Sequence, residues 1–320
     1  LLAHGRDPYF SGWPDTLQLD YANPGTQAAM LGERLTIAGQ LQQVRLKRAG
    51  HAQFDVLLRE IQYSAANQIL YQTAGNGLVS QNIYDPHNGH LQEIIAGLAG
   101  RPPLQHLTYR YDPVGNIVSL EDKAMHTRFF RNQKIEAVGT FTYDSLYQLL
   151  SATGFQRINT QNGPQDPVFS AADPAQMENY RQTFAYDSAG NLTTLVHSAA
   201  SQSWTQRTVI SRYSNRGLEQ RLGGSLPGED EIAAAFDDNG NRKTLQSGQA
   251  LRWNARRQLR HVDQVKRNNA ANDSEYYIYD DAGQRLRKIR FIYANGVTHT
   301  HETRYLPELE IRQTPDETLQ

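Results

Sequence analysis

Residues 107–117 read Leu107-Thr108-Tyr109-Arg110-Tyr111-Asp112-Pro113-Val114-Gly115-Asn116-Ile117. Leu107, Tyr109 and Tyr111 alternate with Thr108 and Arg110, the pattern of a half-buried strand. The strand then runs into a turn. Asp112 at its first position accepts hydrogen bonds from the amides ahead of it. Pro113 sits where a type I turn wants φ near −65°. Gly115 supplies the positive φ that closes a three-residue hairpin loop with a bulge. In such a loop Asp112 opposes Asn116, so Tyr111 opposes Ile117. The aromatic and the aliphatic residue then share one face, a pair worth roughly 0.2–1 kcal/mol beyond Ala–Ala. A four-residue loop would set Tyr111 against polar Asn116 instead.

The string recurs. Tyr186-Asp187-Ser188-Ala189-Gly190-Asn191-Leu192, Phe236-Asp237-Asp238-Asn239-Gly240-Asn241 and Tyr279-Asp280-Asp281-Ala282-Gly283-Gln284 are close copies. Tyr143-Asp144-Ser145-Leu146-Tyr147-Gln148-Leu149, Tyr63–Ile69 and Trp253–Leu259 are looser ones. Tyr84-Asp85-Pro86-His87-Asn88-Gly89 holds one extra residue, and Leu35–Leu41 keeps only Gly39-Gln40-Leu41. Copies begin at 35, 63, 84, 111, 143, 186, 236, 253 and 279, so the intervals run from 17 to 50. A solenoid of identical rungs is stricter than this. The pattern predicts an all-β chain, an antiparallel ribbon of hairpins. Its recurring residues (Tyr84, Asp85, Tyr111, Asp112, Gly115, Tyr143, Asp144, Tyr186, Asp187, Gly190, Phe236, Asp237, Gly240, Tyr279, Asp280 and Gly283) are structural turn residues.

Between the copies, 154–180, 222–230 and 266–274 read as polar excursions. The clear repeats run over 35–292 and continue on both sides of each excursion, so residues 1–320 are expected to form one repeat segment. Phe291–Thr298 reads as a separate hairpin with an Asn-Gly turn. Helix is expected only in short pieces. Asp173-Pro174 offers a cap and a first-turn proline for 173–179, and 229–235 is a second candidate.

Composition narrows the function classes. Lys plus Arg is 32 against 33 for Asp plus Glu, a net charge of −1, which gives no bulk attraction to nucleic acid or anionic membrane. Cys is 0, so there is no disulfide framework, thiolate metal site or cysteine nucleophile. A chain with 17 Tyr and 10 Phe but only 38% hydrophobic residues suits sheets with much wetted surface. No apolar run approaches the roughly 18 residues of a membrane span. The N-terminal Leu1–Asp7 has no Met, basic region or apolar region. It reads as a piece cut from a longer chain, with no signal peptide in it.

Aromatic-Asp-x-x-Gly-[Asn/Arg/Gln]-Leu at irregular spacing resembles the YD or RHS repeat. The wider sequence resembles the C component, TcC, of bacterial insecticidal Tc toxin complexes. The resemblance rests on Tyr109–Asn116, Thr127–Lys134, Tyr143–Leu149, Ser247–Asn254 and Arg304–Glu310, and covers about 35–312. It implies a ribbon spiralling into part of a hollow shell. It also implies closure with a B component around a toxic C-terminal polypeptide, and delivery through a pore-forming A component, as part of a secreted virulence complex. In that family a self-cleaving aspartyl site and a variable toxin follow the repeats. This chain ends at Gln320 without the Asp-Pro-x-Gly pattern expected there, so neither activity is carried over to it.

Other chemistry fails on spacing. The turn aspartates each sit in their own turn. Asp237–Asn241 imitates a calcium loop, but Gly248 stands where the twelfth-position Glu belongs. His299 and His301 share a strand face without a third metal ligand at a diagnostic spacing. Gly223–Gly228 is neither a nucleophile elbow nor a phosphate loop. Arg256-Arg257 and Arg285–Arg290 alternate as a polar strand face rather than clustering for nucleic acid. The reading is a structural shell segment, not an enzyme, with no cofactor, no metal, no nucleic acid and no direct membrane insertion. The alternative is a carbohydrate- or protein-binding YD-repeat module of a bacterial surface or polymorphic toxin protein. Rings lying flat on an exposed groove would distinguish it.

Overall fold

The structure is a computed structural model that describes residues 17–21, 29–47, 51–130, 133–158, 177–221, 223–245, 248–306 and 309–313. The strands are, in order, β1 (Leu17–Tyr21), β2 (Ala29–Leu35), β3 (Leu41–Lys47), β4 (Asp55–Tyr63), β5 (Ile69–Ala74), β6 (Leu78–Tyr84), β7 (Leu91–Leu98) and β8 (Gln105–Tyr111). They continue as β9 (Ile117–Asp122), β10 (Arg128–Phe130), β11 (Gln133–Ile135), β12 (Val138–Tyr143), β13 (Leu149–Arg157), β14 (Met177–Tyr186), β15 (Leu192–Ala199), β16 (Ser203–Ile210) and β17 (Gly217–Glu219). After a single short helix, α1 (Glu229–Ala235), come β18 (Leu251–Trp253), β19 (Leu259–Val265), β20 (Asp273–Tyr279), β21 (Arg285–Ala294), β22 (Val297–Leu306) and β23 (Leu309–Gln313). Among the described residues the chain is all-β apart from α1, and neighbouring strands pair antiparallel.

Contacts divide the chain into two units. The first holds the described residues up to Thr183 with His197–Trp204, and the second holds Phe184–Val196 with those from Thr205. In the first, β1 to β9 and then β12 to β14 neighbour one another in chain order, while β10 and β11 form a separate pair. In the second, β16 pairs β17, and β18 to β23 make a six-stranded sheet, again in chain order. Sequential neighbours joined by tight turns are what a hairpin ribbon requires.

Few side chains are dry. The buried apolar residues among those described are Val44, Ile61, Ile135, Ala152 and Met177 in the first unit, and Ile232 and Val262 in the second. Strand β9 is half-buried at every position, so neither of its faces is a core and neither is open water. This is how a chain of low apolar content can be nearly all strand: pairing along the ribbon satisfies the backbone without a second layer.

Three sequence expectations need correction. The helix over 173–179 is not seen: Met177–Asn179 open β14, with Arg157↔Met177, Gln156↔Glu178 and Phe155↔Asn179 in register. Met177 and Glu178 are buried there, so cross-strand pairing outweighs the local cap signal; 173–176 lie outside the described residues. For the same reason the 154–180 excursion is shorter than read, because 154–157 and 177–180 are strand. At the other excursions, Asp273 and Ser274 belong to β20 and are buried, while Glu229 and Asp230 open α1. Leu222 lies outside the described residues.

The second helix candidate, 229–235, is α1. Its start is held by Glu231, whose carboxylate accepts the Gly228 N–H at 2.9 Å. Glu229 in the first turn accepts from the Ser211 hydroxyl and the Arg212 N–H, and Ile232 is its one buried anchor.

Candidate functional site

The turns share one hydrogen-bond scheme. In the Asp112 turn the Asp112 N–H donates to Asn116 O at 2.9 Å and the Gly115 N–H to Asp112 O at 3.1 Å. The carboxylate closes it: Oδ1 accepts from the Val114 and Asn116 N–H groups, and Oδ2 from the Asn116 side-chain amide. Asp187 and Asp237 repeat all of these bonds. Asp144 and Asp280 repeat the backbone pair and the bond from the residue four ahead. Ser64 and Asn254 do the same work with a hydroxyl and an amide oxygen. Gly115, Gly190, Gly240 and Gly283 have φ of +98°, +84°, +84° and +85°, and Asn67, Tyr147 and Arg257 hold the equivalent position at +63°, +63° and +61°. For Tyr147 and Arg257 that conformation costs energy, so the rest of the turn must hold them there.

The loop fixes the register beyond it. Tyr111 pairs Ile117, Tyr143 pairs Leu149, Tyr63 pairs Ile69, Trp253 pairs Leu259 and Tyr279 pairs Arg285, each across a bulge. Tyr84 pairs Leu91, one residue later because of the longer turn.

A second regularity needs the folded ribbon to appear. The Tyr111 hydroxyl donates to Leu91 O at 2.7 Å, and Leu91 is the partner of the preceding motif's Tyr84. Tyr63 donates likewise to Leu41 O, Tyr84 to Ile69 O, Tyr143 to Ile117 O and Tyr279 to Leu259 O, over 2.8–3.2 Å. Trp253 reaches Arg242 O through its indole N–H at 2.7 Å. These six motif aromatics thus tie their hairpins to the residue just after the previous turn. Tyrosine and tryptophan, with one apolar end and one donor, can make this rung; Phe236, at the equivalent position, cannot.

Electrostatics agree with structural duty. The side-chain amides of Asn191 and Asn241, with backbone N–H groups, hold Asp187 and Asp237 below the usual carboxylate range. At Asp112 desolvation pulls the other way, but the Asn116 and backbone amides prevail and the pKa is lowered. Burial raises the pKa of Tyr111, Tyr143 and Tyr279. The carboxylate oxygens of Asp237 are spent on Asn239 and Asn241 rather than presented to a cation.

His299 lies opposite Ile292 and His301 opposite Arg290. Among the described residues no three metal-ligating side chains converge. The basic residues are engaged internally: Arg287 and Arg304 both bond Glu302, and Arg285 lies over the Tyr277 and Tyr305 rings. Sequence reading missed buried polar groups, among them one on β14 and one on β15. Glu178 accepts from Gln156 and from both the N–H and hydroxyl of Ser201. His197 lies between the Tyr180 and Trp204 rings, centroids 5.4 and 5.1 Å away, and burial lowers its pKa. It also missed the turn Leu245–Gln249, which has the backbone scheme and Gly248 at φ +82° but Leu where Asp is usual.

Turn, register and rung together define a ribbon of repeated antiparallel hairpins. No family model matches the chain. Direct relatives do. The toxin subunit YenC1 of Yersinia entomophaga is 38% identical over 284 residues, which is 86% of this chain and 29% of that protein. A TcdB2–TccC3–Cdc42 crystal structure matches 92% of this chain and 14% of its own at 36% identity and a TM-score of 0.76. The Tc holotoxin pore of Photorhabdus luminescens matches 94% of this chain and 14% of its own at 35% identity and a TM-score of 0.77. The chain is therefore homologous to these toxin subunits and shares the fold of the matched parts of those structures. It spans less than a third of the length of the curated relative. No helix among the described residues is long and apolar enough to cross a membrane.

Proposed function

We propose that this chain is a wall segment of a Tc toxin C component, whose ribbon curls into part of a hollow shell around a toxic polypeptide cargo. In this reading both units act as one continuous repeat segment, and a B component completes the shell. A pore-forming A component receives the cargo, and the complex acts outside the cell that makes it. The chain's part is structural rather than catalytic and uses no cofactor.

One observation supports this most. The polar groups that recur along the chain are consumed by the turn and the rung, from Asp112 with its three donors to Tyr111 with its bond to Leu91 O. Groups arranged for catalysis keep a lone pair or proton for the substrate; these are arranged to keep hairpins adjacent. Homology to toxin subunits, one of them in a structure with TcdB2, supports the partner.

The test is protection. The chain is carried in its full C component, co-expressed with the B partner, and the cargo's resistance to added protease is measured. Gly115→Val is expected to lower protection by disturbing the turn, while His301→Ala leaves it intact. Lost protection in the histidine variant with none lost in the glycine variant would overturn the wall reading.

A further inference from the structure

The chain carries Asn-Gly at 76–77, 88–89, 162–163, 239–240 and 295–296. Residues 162–163 lie outside the described ones; Asn76, Asn88, Asn239 and Asn295 are all exposed. The dipeptide has a chemistry of its own. Glycine has no Cβ, so little shields its N–H from the side-chain amide one residue back. Whether that N–H is available depends on the turn around it.

At three of the four places it is held. The Gly77 N–H donates to Ala74 O at 3.0 Å, and Asn76 Oδ1 accepts the Leu78 N–H at 3.0 Å. The Gly89 N–H donates to Asp85 O at 2.8 Å, and Asn88 Oδ1 accepts the His90 N–H at 2.9 Å. The Gly240 N–H donates to Asp237 O at 3.0 Å. Asn295-Gly296 is built differently. It is the two-residue loop between β21 and β22, flanked by the Ala294↔Val297 pair. Its φ values are +52° and +79°, both positive as a type I′ turn requires. In such a loop the closing bonds belong to the flanking residues. Neither the Gly296 N–H nor the Asn295 side-chain amide has a hydrogen-bond partner among the described residues.

We propose that Asn295 is a site of spontaneous covalent modification, deamidating ahead of Asn76, Asn88 and Asn239. The Gly296 nitrogen gives its proton to hydroxide and attacks Asn295 Cγ. The N–Cγ bond forms, the Cγ–Nδ2 bond breaks, and the amide nitrogen leaves as ammonia with a proton taken from water. The cyclic imide then takes up one water. Opening at one carbonyl gives aspartate and at the other isoaspartate, with nothing oxidised or reduced. Either product sets a carboxylate where a neutral amide stood. Isoaspartate also adds a methylene to the main chain of the loop that fixes eight paired positions, from Ala294↔Val297 to Arg287↔Arg304. Loop length sets hairpin register, so this product loosens β21 and β22 from the loop inward.

The experiment ages the whole 320-residue chain in mildly alkaline buffer and follows each Asn-Gly by peptide mapping with mass spectrometry. Asn295 is expected to convert roughly two- to ten-fold faster than the other three, about the factor one net hydrogen bond is worth. In urea all four glycine N–H groups are freed, and the rates should converge. Asn295→Gln, which closes the larger ring only slowly, should abolish conversion at 295 and leave the other three rates unchanged. Amides of β21 and β22 should exchange hydrogen faster in the isoaspartate fraction than in the parent. The proposal is overturned if Asn76, Asn88 or Asn239 converts as fast as Asn295 in the folded chain. It is also overturned if the lead of Asn295 survives in urea, since the fold would then not be its cause. Unchanged exchange in the isoaspartate fraction would overturn the loosening.

Discussion

The turns at Asp112 and Asp237 are nearly the same object. Their backbone bonds agree to within 0.1 Å, at 2.9 and 3.1 Å against 2.9 and 3.0 Å, and both glycines have positive φ. Their surroundings differ. The first turn joins β8 to β9, paired at five positions with Tyr111 against Ile117. The second is closed by a single bridge, Phe236↔Arg242. Phe236 has no hydroxyl to give a rung, and Arg242 turns instead to Glu219, at 2.8 and 3.2 Å. The turn is therefore a local product of five residues, whereas the strands beside it depend on apolar pairing and on a neighbouring hairpin to bond. The same motif can punctuate a ribbon without building one.

The largest expected effect tests the shared part. Gly115→Val forces a β-branched residue to positive φ, and its Cβ would meet the His90 ring at 3.3 Å. A loss of about 2–3 kcal/mol is expected in urea unfolding. Gly240→Val carries the φ penalty, but its nearest neighbour is the flexible Arg216 side chain at 3.7 Å, so it should lose less. Equal losses would show that crowding at His90 contributes nothing.

Next comes the part not shared. Tyr111→Phe removes the bond to Leu91 O and should cost about 1 kcal/mol. Tyr279→Phe, which loses the bond to Leu259 O, should cost a similar amount, since the rung is the same device. A neutral result at both would reduce the rung to a by-product of packing.

The turn carboxylates set a smaller, pH-dependent effect. Their folded pKa values are lowered at Asp112, Asp187 and Asp237. Their contribution is thus full above the unfolded carboxylate pKa, about 3.9, and is lost as pH falls through the lower folded values. Asp237→Asn should flatten part of that acid loss in a urea series run from neutral to acid pH, and Asp112→Asn should flatten a similar part. The smallest effect is His301→Ala, within about 0.5 kcal/mol in the same assay.

The hairpins were legible because loop length sets register: an apolar residue six places after the aromatic, as at Ile117 and Leu149, admits one pairing. Helix α1 was legible from its acidic first turn and single apolar anchor. The start of β14 was not, because Asp173-Pro174 is a sound local cap signal and only the partner strand, Gly154–Arg157, overrides it. The Leu245 turn hid because the backbone scheme survives without Asp. The rungs were invisible for another reason. A hydroxyl reaching a carbonyl in the preceding hairpin depends on which hairpins are neighbours, and a list of motifs does not say.

The rung has a consequence for how such a chain can change over time. It joins positions that are 22, 15, 20 and 26 residues apart in successive hairpins of the first unit, yet the bond is the same each time. Alignment between neighbours is referenced to the turn end, so the far end of each hairpin is free to grow or shrink. The returning connections show this, from the tight Ala74–Leu78 link to the long passage between Arg157 and Met177. Insertions there leave every neighbour in place. The uneven spacing that masks the repeat is the record of a scaffold whose length changes gather at one margin, while the turn margin varies by the single extra residue before Leu91.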